Sequence, residues 1–537
     1  MSDDSRPKEF FSVSGIPIKR IYTPEEIRDM DYKQDMGDAG EPPFRRGVHP
    51  EMYRKKLWTI RRYSGGGGPE ETNKLYHKEY ELGQTGFSIA LDSPTGAGID
   101  SDDPRVSADV GSCGVAIDTL LDMELLLDGL PIDKAPLAVI SQTMSTYPLM
   151  AMVFAVAEKK GMNLKELRGT TQNDVMTTFA LWFLDQVAPR YQRRFAVDYI
   201  EWCYEVAPRW YPVSFDSYNY RENGINAFQE LGMLLAQTID YIDEELRRPH
   251  PMDLNDFTSR FTFDMGCHND FFEEIAKFRA ARILWYKIAH DRYGITNPES
   301  LKFRFHAQSS GCTHTTQEPY NNLIRIAYQV LACVLGGAQS VHANGFDEGL
   351  CLPSEQSMLL SIRTEQILQK ETNVTNTVDP LGGSYYVEAL TGEVEKQARD
   401  YIAKIEEKGG ITEALDSGWI HGEYMEAMIE HEKAVNEGRT SVVGVNWERL
   451  DEEPYQVPLV RANPEVVEKQ KERILKVKRE RDDNQVKDAL EEIRETTVNN
   501  QNIMPPVMKA VKAYATLGEV CNVWRDLYGI WKYPITM

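Results

Sequence analysis

LKFRFHAQSSGCTHTTQEPYNNLIRIAYQVLACVLGGAQSVHANGFDEG, residues 301–349, carries the alternation from which the fold is read. Leu301–His306 is a short β-rich run. A polar loop follows, then Asn321–Gly336 with apolar residues at helical spacing, then a second polar-ended run from Ala338. The same order recurs upstream. Gly86–Leu91, Leu137–Ser141 and Val213–Phe215 read as strands, and Leu149–Lys160, Ile225–Glu245 and Phe271–His290 as helices. Alternation from about residue 55 to 400 predicts an α/β protein with a parallel sheet, either doubly wound or closed as a (β/α)8 TIM barrel. Polar clusters at the ends of many different strands favour the barrel, whose βα loops build one site together.

Three regions are expected. Residues 1–45 are polar and form an N-terminal arm that docks on something larger, or else a disordered tail. Residues 46–400 hold the barrel. Residues 401–537 form a helical C-terminal region. Within it Glu465–Glu495 reads as one solvated, charge-rich helix, and Met504–Gly529 as an apolar stretch that packs back onto a core or a partner.

The chain of 537 residues has a net charge of −23, with 42% hydrophobic and 27% charged residues. That balance argues against broad binding to nucleic acid or an anionic membrane surface. An anionic ligand then requires arginines gathered at one place. The seven cysteines form no CxxC pair, which suggests a reducing compartment and no structural zinc. There is no apolar leader at the N-terminus and no run long enough to span a bilayer, so the cytoplasm is expected.

Arg304, His306 and Gln308 alternate, so on a strand they share one face. Inside a barrel that face needs a ligand or a polar network to satisfy it. Gln339, His342, Asn344 and Glu348 pose the same question. Gly65–Gly68, after Thr59, Arg61, Arg62 and Tyr63, is either a plain turn or a place where backbone approaches phosphate. No histidine pair has the spacing of a metal site.

TIRRYSG (59–65), ALDSPTGAGIDSDDPRVSADVGSCGVAIDT (90–119), GTTQND (169–174), QSSG (308–311), PYNNLIR (319–325), AQSVHANGFDE (338–348), DPLGGSYYVE (379–388) and AVKAYATLGEV (510–520) occur in this order. Together they resemble methylmalonyl-CoA mutase and its relatives, the isobutyryl-CoA and 2-hydroxyisobutyryl-CoA mutases, over nearly the whole chain from about residue 45. The resemblance implies a barrel threaded by the pantetheine arm of coenzyme A and topped by adenosylcobalamin. It implies that the cobalamin-binding Rossmann-like domain, absent from this chain, is a separate small subunit that also gives cobalt its lower ligand. An α2β2 assembly and a GTPase chaperone belong to the same expectation.

Carried over residue by residue, the coenzyme A contacts are Lys56, Thr59, Arg61, Ser88, Arg260, Arg304, His306, Gln308 and Gln339. Tyr63 matches the aromatic wedge beside the adenosyl group, and Gln172 the amide that borders the acyl group. Asn219 stands where the family has the histidine that meets the thioester carbonyl. Leu91, Cys113, Glu222, Gly311, Cys312, Glu348 and Gly349 match the surface facing the corrin, with Asn344 beside the substrate. His342 lies in an H-x-x-G sequence without the aspartate of the cobalamin motif D-x-H-x-x-G. Trp182 replaces the arginine that grips a substrate carboxylate. Ala90 replaces the aspartate of the 2-hydroxyisobutyryl enzyme. The resemblance therefore implies radical migration of a thioester carbonyl within a branched, uncharged acyl-CoA. The alternatives are a dicarboxylic acyl group with Arg221 or another cation as its counter-charge, and a non-catalytic homologue.

Overall fold

The parallel strands form where short apolar residues alternate with polar ones between two helical stretches. The computed structural model describes residues 9–534 apart from 142, 180–184, 453–454, 458 and 460–463. Strand β1 has two pieces, Thr59–Ile60 and Tyr63–Ser64. It is followed by β2 (Phe87–Ile89), β3 (Leu137–Val139), β4 (Gly169–Thr171), β5 (Val213–Asp216), β6 (Phe261–Cys267), β7 (Phe305–Ser309) and β8 (Ser340–His342). Each is followed by a helix: α1 (Pro69–Glu81), α2 (Leu120–Leu126), α3 (Thr146–Lys159), α4 (Pro189–Val206), α5 (Ala227–Leu246), α6 (Phe271–Lys287), α7 (Asn322–Leu335) and α8 (Glu355–Lys370).

The first piece of β1 pairs with β8 and the second with β2, so β1 joins two sheets. The sheets meet again between β4 and β5. There Thr171 N–H donates to Tyr211 O at 2.9 Å and Ser214 N–H to Gln172 O at 3.0 Å. Every pairing among β1–β8 is parallel. The sheet closes on itself as a (β/α)8 barrel, and the doubly wound alternative falls away.

Two apolar shells wrap the barrel. One joins β5–β8 to α5, α6 and α9 (Tyr385–Glu407). The other joins β2 and β3 to α3 and to the C-terminal helices. These last are α10 (Trp419–Asn436), α11 (Pro464–Glu480), α12 (Asp483–Val498), α13 (Met504–Lys512) and α14 (Leu517–Tyr528), of which α12–α14 enter the second shell. Trp524 of α14 meets Tyr147 of α3 edge-on at 5.8 Å, so the apolar stretch at the C-terminus packs back as expected.

Three expectations change. The strand placed at Leu301–His306 begins four residues later, because Arg304 turns back to Glu299, donating to its carbonyl at 3.0 Å. The charge-rich run is two helices, since Asp482 caps α12 by accepting from the amides of Asn484 and Gln485. Nor is α11 simply solvated: Val466 and Ile474 are buried, and Gln470 donates to Asp118 at 2.8 Å. The boundary at residue 400 falls inside α9.

The described part of the arm is docked. Phe10–Phe11 and Pro17–Ile18 form an antiparallel hairpin. Ser12 Oγ donates to Glu273 at 2.5 Å and Val13 N–H to Asp270 at 3.0 Å, both at the start of α6. Farther along, Arg45 pairs with Glu388 at 2.8 Å, and Arg279 pairs with both Glu388 and Asp379. Glu388 thus ties the arm, α6 and α9 together. Among the described residues no helix is long and apolar enough to cross a membrane.

Glu388→Ala leaves Arg45 and Arg279 buried against one carboxylate fewer. A loss of about 3–5 kcal/mol is expected, read as a lower urea midpoint. A loss below about 1 kcal/mol contradicts the role given to Glu388.

Candidate active site

Phe215 and Phe263 point outward, against Tyr241 and Trp285. Alternation then turns their neighbours inward. Ser340, His306, Asp264 and Asp216 stand in register across β8, β7, β6 and β5, one polar row around the inner wall. Thr171 points outward, where its hydroxyl meets Tyr199 and Trp210 at 2.8 Å, and so Gln172 points in.

The residues expected to hold coenzyme A divide by height. Lys56, Arg260, Arg304 and Gln339 precede β1, β6, β7 and β8, at the N-terminal mouth. Burial pushes His49 down to about 4, and Lys302, Arg304 and Lys56 push the same way. Lys56, Lys302 and Arg304 thus all lie within electrostatic reach of His49, with Glu299 acting against them. Arg304 also pairs with Glu299. Arg260 lies over the Tyr211 ring at 5.5 Å. The Gln339 amide is committed to backbone, accepting from Phe305 N–H at 2.8 Å and donating to Gly337 O at 2.7 Å. Thr59, Ser88 and His306 lie farther up the wall, with His306 Nδ1 2.7 Å from Ser340 Oγ. Burial and the nearby Arg61 charge hold His306 well below its usual value, and thus neutral.

Gln172, Asn219, Asn344 and Gln308 lie at the C-terminal end with Tyr63. Tyr63 N–H donates to His342 Nδ1 at 2.6 Å. This fixes the His342 proton on Nε2. Burial, with Arg62 adding to it, holds the ring well below its usual value. Gln308 donates to Asn344 Oδ1 at 3.1 Å. Burial raises the Tyr63 hydroxyl above its usual range, and Cys113, Glu348 and Asp216 act in the same direction. Asn219 Nδ2 donates to Asp216 Oδ2 at 2.5 Å, which orients its amide and leaves a second N–H for a ligand.

Around the rim, Cys113, Cys312, Glu348 and Gly349 are exposed and Leu91 is buried. Glu222 accepts from Cys312 N–H at 2.7 Å, and burial pushes it up to about 7. A Cβ on Gly311 would stand 3.1 Å from Glu222 Oε2. The glycines 65–68 serve packing. Gly65, at φ 152°, passes Ala90 so closely that a Cβ would lie 2.7 Å from its carbonyl, and Gly67 N–H donates to Gly111 O at 2.9 Å. Trp182 lies outside the described residues.

Arg221 does not face this space. It is 2% exposed, 3.4 Å from Glu274 and 3.7 Å from Glu230, and also donates to Ile225 O. Arg221 is thus not free to serve as a substrate counter-charge, and a dicarboxylic acyl group would need another cation. The sequence reading passed over Asp216 and Asp264. Their signal was present as Ser-Phe-Asp (214–216) and Thr-Phe-Asp (262–264), two similar triplets that each turn an aspartate inward.

The family model for methylmalonyl-CoA mutase matches residues 11–530. The 2-hydroxyisobutanoyl-CoA mutase large subunit of Aquincola tertiaricarbonis is 36% identical over 530 residues, covering 98% of this chain and 93% of that protein. Methylmalonyl-CoA mutase of Escherichia coli (strain K12) is 37% identical over 513 residues, 95% of this chain and 71% of that protein. The methylmalonyl-CoA mutase large subunit of Propionibacterium freudenreichii subsp. shermanii is 35% identical, with 96% and 71% covered. A polar-lined (β/α)8 barrel with a cationic mouth and this sequence kinship define one class: the chain belongs to the methylmalonyl-CoA mutase family. Within it the protein is an acyl-CoA mutase, an isomerase.

Burial pushes Asp264 from 3.8 up to about 7. Between those values the folded chain holds a proton that the unfolded chain releases. Stability therefore falls as pH rises through the window, and the loss is complete above about 7. Asp264→Asn flattens the slope by up to about 1.4 kcal/mol per pH unit. Urea titrations at a series of pH values measure this. Identical slopes in the two proteins would refute it.

Proposed function

We propose that the protein is the large, substrate-binding subunit of an adenosylcobalamin-dependent mutase acting on a branched acyl-CoA whose acyl group carries no carboxylate. The observation that carries this reading is the polar inner wall, which runs from the cationic mouth at Lys56 and Arg304 to the cluster of Tyr63, Gln172 and Asn219. Coenzyme A phosphates suit the cations, and the pantetheine arm follows the row of Ser88, Thr59 and His306. The thioester then lies near Asn219, whose spare N–H is directed at its carbonyl. The Tyr63 ring covers the reacting carbon and excludes water.

The rim suits a flat macrocycle. Gly311 leaves a cradle that a side chain would fill, beside exposed Cys312 and the Glu222 carboxyl. Adenosylcobalamin, when bound there, supplies a carbon radical by homolysis of its cobalt–carbon bond. A relative of nearly the same length is named a large subunit, which supports a small partner, and that partner would carry the cobalamin-binding domain. The engagement of Arg221 with Glu230 and Glu274 counts against a dicarboxylic substrate.

Reconstitution with adenosylcobalamin and the small subunit tests the reading on an acyl-CoA panel. Isobutyryl-CoA or a branched relative should be isomerised, and methylmalonyl-CoA should not; the reverse result sinks the substrate class. Asn219→Ala should lower kcat about 100-fold. Gly311→Ala should weaken cobalamin binding while free coenzyme A still binds.

A further inference from the structure

β5 and β6 carry the same residue at one level of their inner faces. Asp216 and Asp264 are in register, on strands about 4.8 Å apart, and so stand side by side. Asp216 accepts from Tyr218 N–H at 2.8 Å and from Asn219. Asp264 is 8% exposed, and its Oδ1 is buried without a hydrogen-bond partner. A second such acceptor points into the barrel from β4: Gln172, 2% exposed, has Oε1 buried without a partner. Gln172 is joined to β5 through the Ser214 amide. Arg61 is the counter-charge that acts most strongly on Asp264.

Burial already disfavours charge at both carboxyl groups, and a ligand carboxylate brought against them adds another. A plain alkyl group leaves the Asp264 and Gln172 acceptors without a donor. A hydroxyl supplies one and adds no charge. Ala90, just past the end of β2 and across the barrel from β6, presents only a methyl group, so the polar side of the acyl pocket is the β5–β6 wall. We infer that Asp216 and Asp264 form a specificity wall that receives a hydroxyl carried by the acyl group. The inference rests on the acyl-CoA reading above and narrows its substrate class.

Calorimetric titration of the purified chain tests it with coenzyme A, isobutyryl-CoA, 2-hydroxyisobutyryl-CoA, 3-hydroxybutyryl-CoA, succinyl-CoA and β-alanyl-CoA. At least one hydroxyacyl-CoA should bind about 10- to 100-fold more tightly than isobutyryl-CoA. Asp264→Asn should reduce that ratio to about 3-fold or less. Asp264→Leu should bind isobutyryl-CoA more tightly than the wild type does, a gain that misfolding cannot produce. Equal affinity for isobutyryl-CoA and both hydroxyacyl-CoAs overturns the inference. So does tightest binding of succinyl-CoA or β-alanyl-CoA, or a hydroxyl preference that survives in both Asp264→Asn and Asp216→Asn. If free coenzyme A fails to bind as well, the acyl-CoA reading itself is what has failed.

Discussion

A closed barrel with a polar inner wall must satisfy that wall from within, because its outer face is taken up by helices. This constraint shapes the rest of the molecule. Some inner groups satisfy one another, as His306 does with Ser340 and Gln308 with Asn344. Others, Asp264 and Gln172 among them, keep a buried acceptor open. The division separates scaffold from site more sharply than residue type does. His306 and Asp264 are register neighbours of similar burial, but the histidine is held by a serine and the aspartate is not.

The alternation in residues 301–349 was enough to predict parallel strands and helices, since periods of 2 and 3.6 are local properties. Closure was not local. It depends on β1 breaking after Ile60 so that one piece pairs with β8 and the other with β2, and on a short β4 reaching β5. The polar runs around Arg304 and Gln339 were legible as inward faces. That Gln339 spends its amide on the backbone was not, since the bond needs the adjoining strand. Arg221 shows the same limit in reverse: sequence presents a free cation, and the folded chain surrounds it with Glu230 and Glu274. The repeated triplets ending in Asp216 and Asp264 could have been found, because alternation alone turns both aspartates to the side opposite their phenylalanines.

The C-terminal charge run illustrates how pattern and environment differ. Its composition is that of a solvated helix, yet Val466, Ile474 and Val477 recur closely enough to make a buried stripe. Its cations are then used against Asp122, Asp100 and Asp102 on the β2 side of the barrel, and Gln470 donates to Asp118. The glycines at 65–68 belong to the same contact, since a Cβ on Gly67 would lie 3.5 Å from Val466.

The two apolar shells share no buried side chain, and α4 lends a different face to each. Changes of volume in separate, non-contacting clusters add with little coupling. The half of the barrel that carries β5–β8 can thus be repacked over evolutionary time without a compensating change around β2 and β3. A lineage can thus vary the outer packing of one half of the barrel and inherit the other half unaltered.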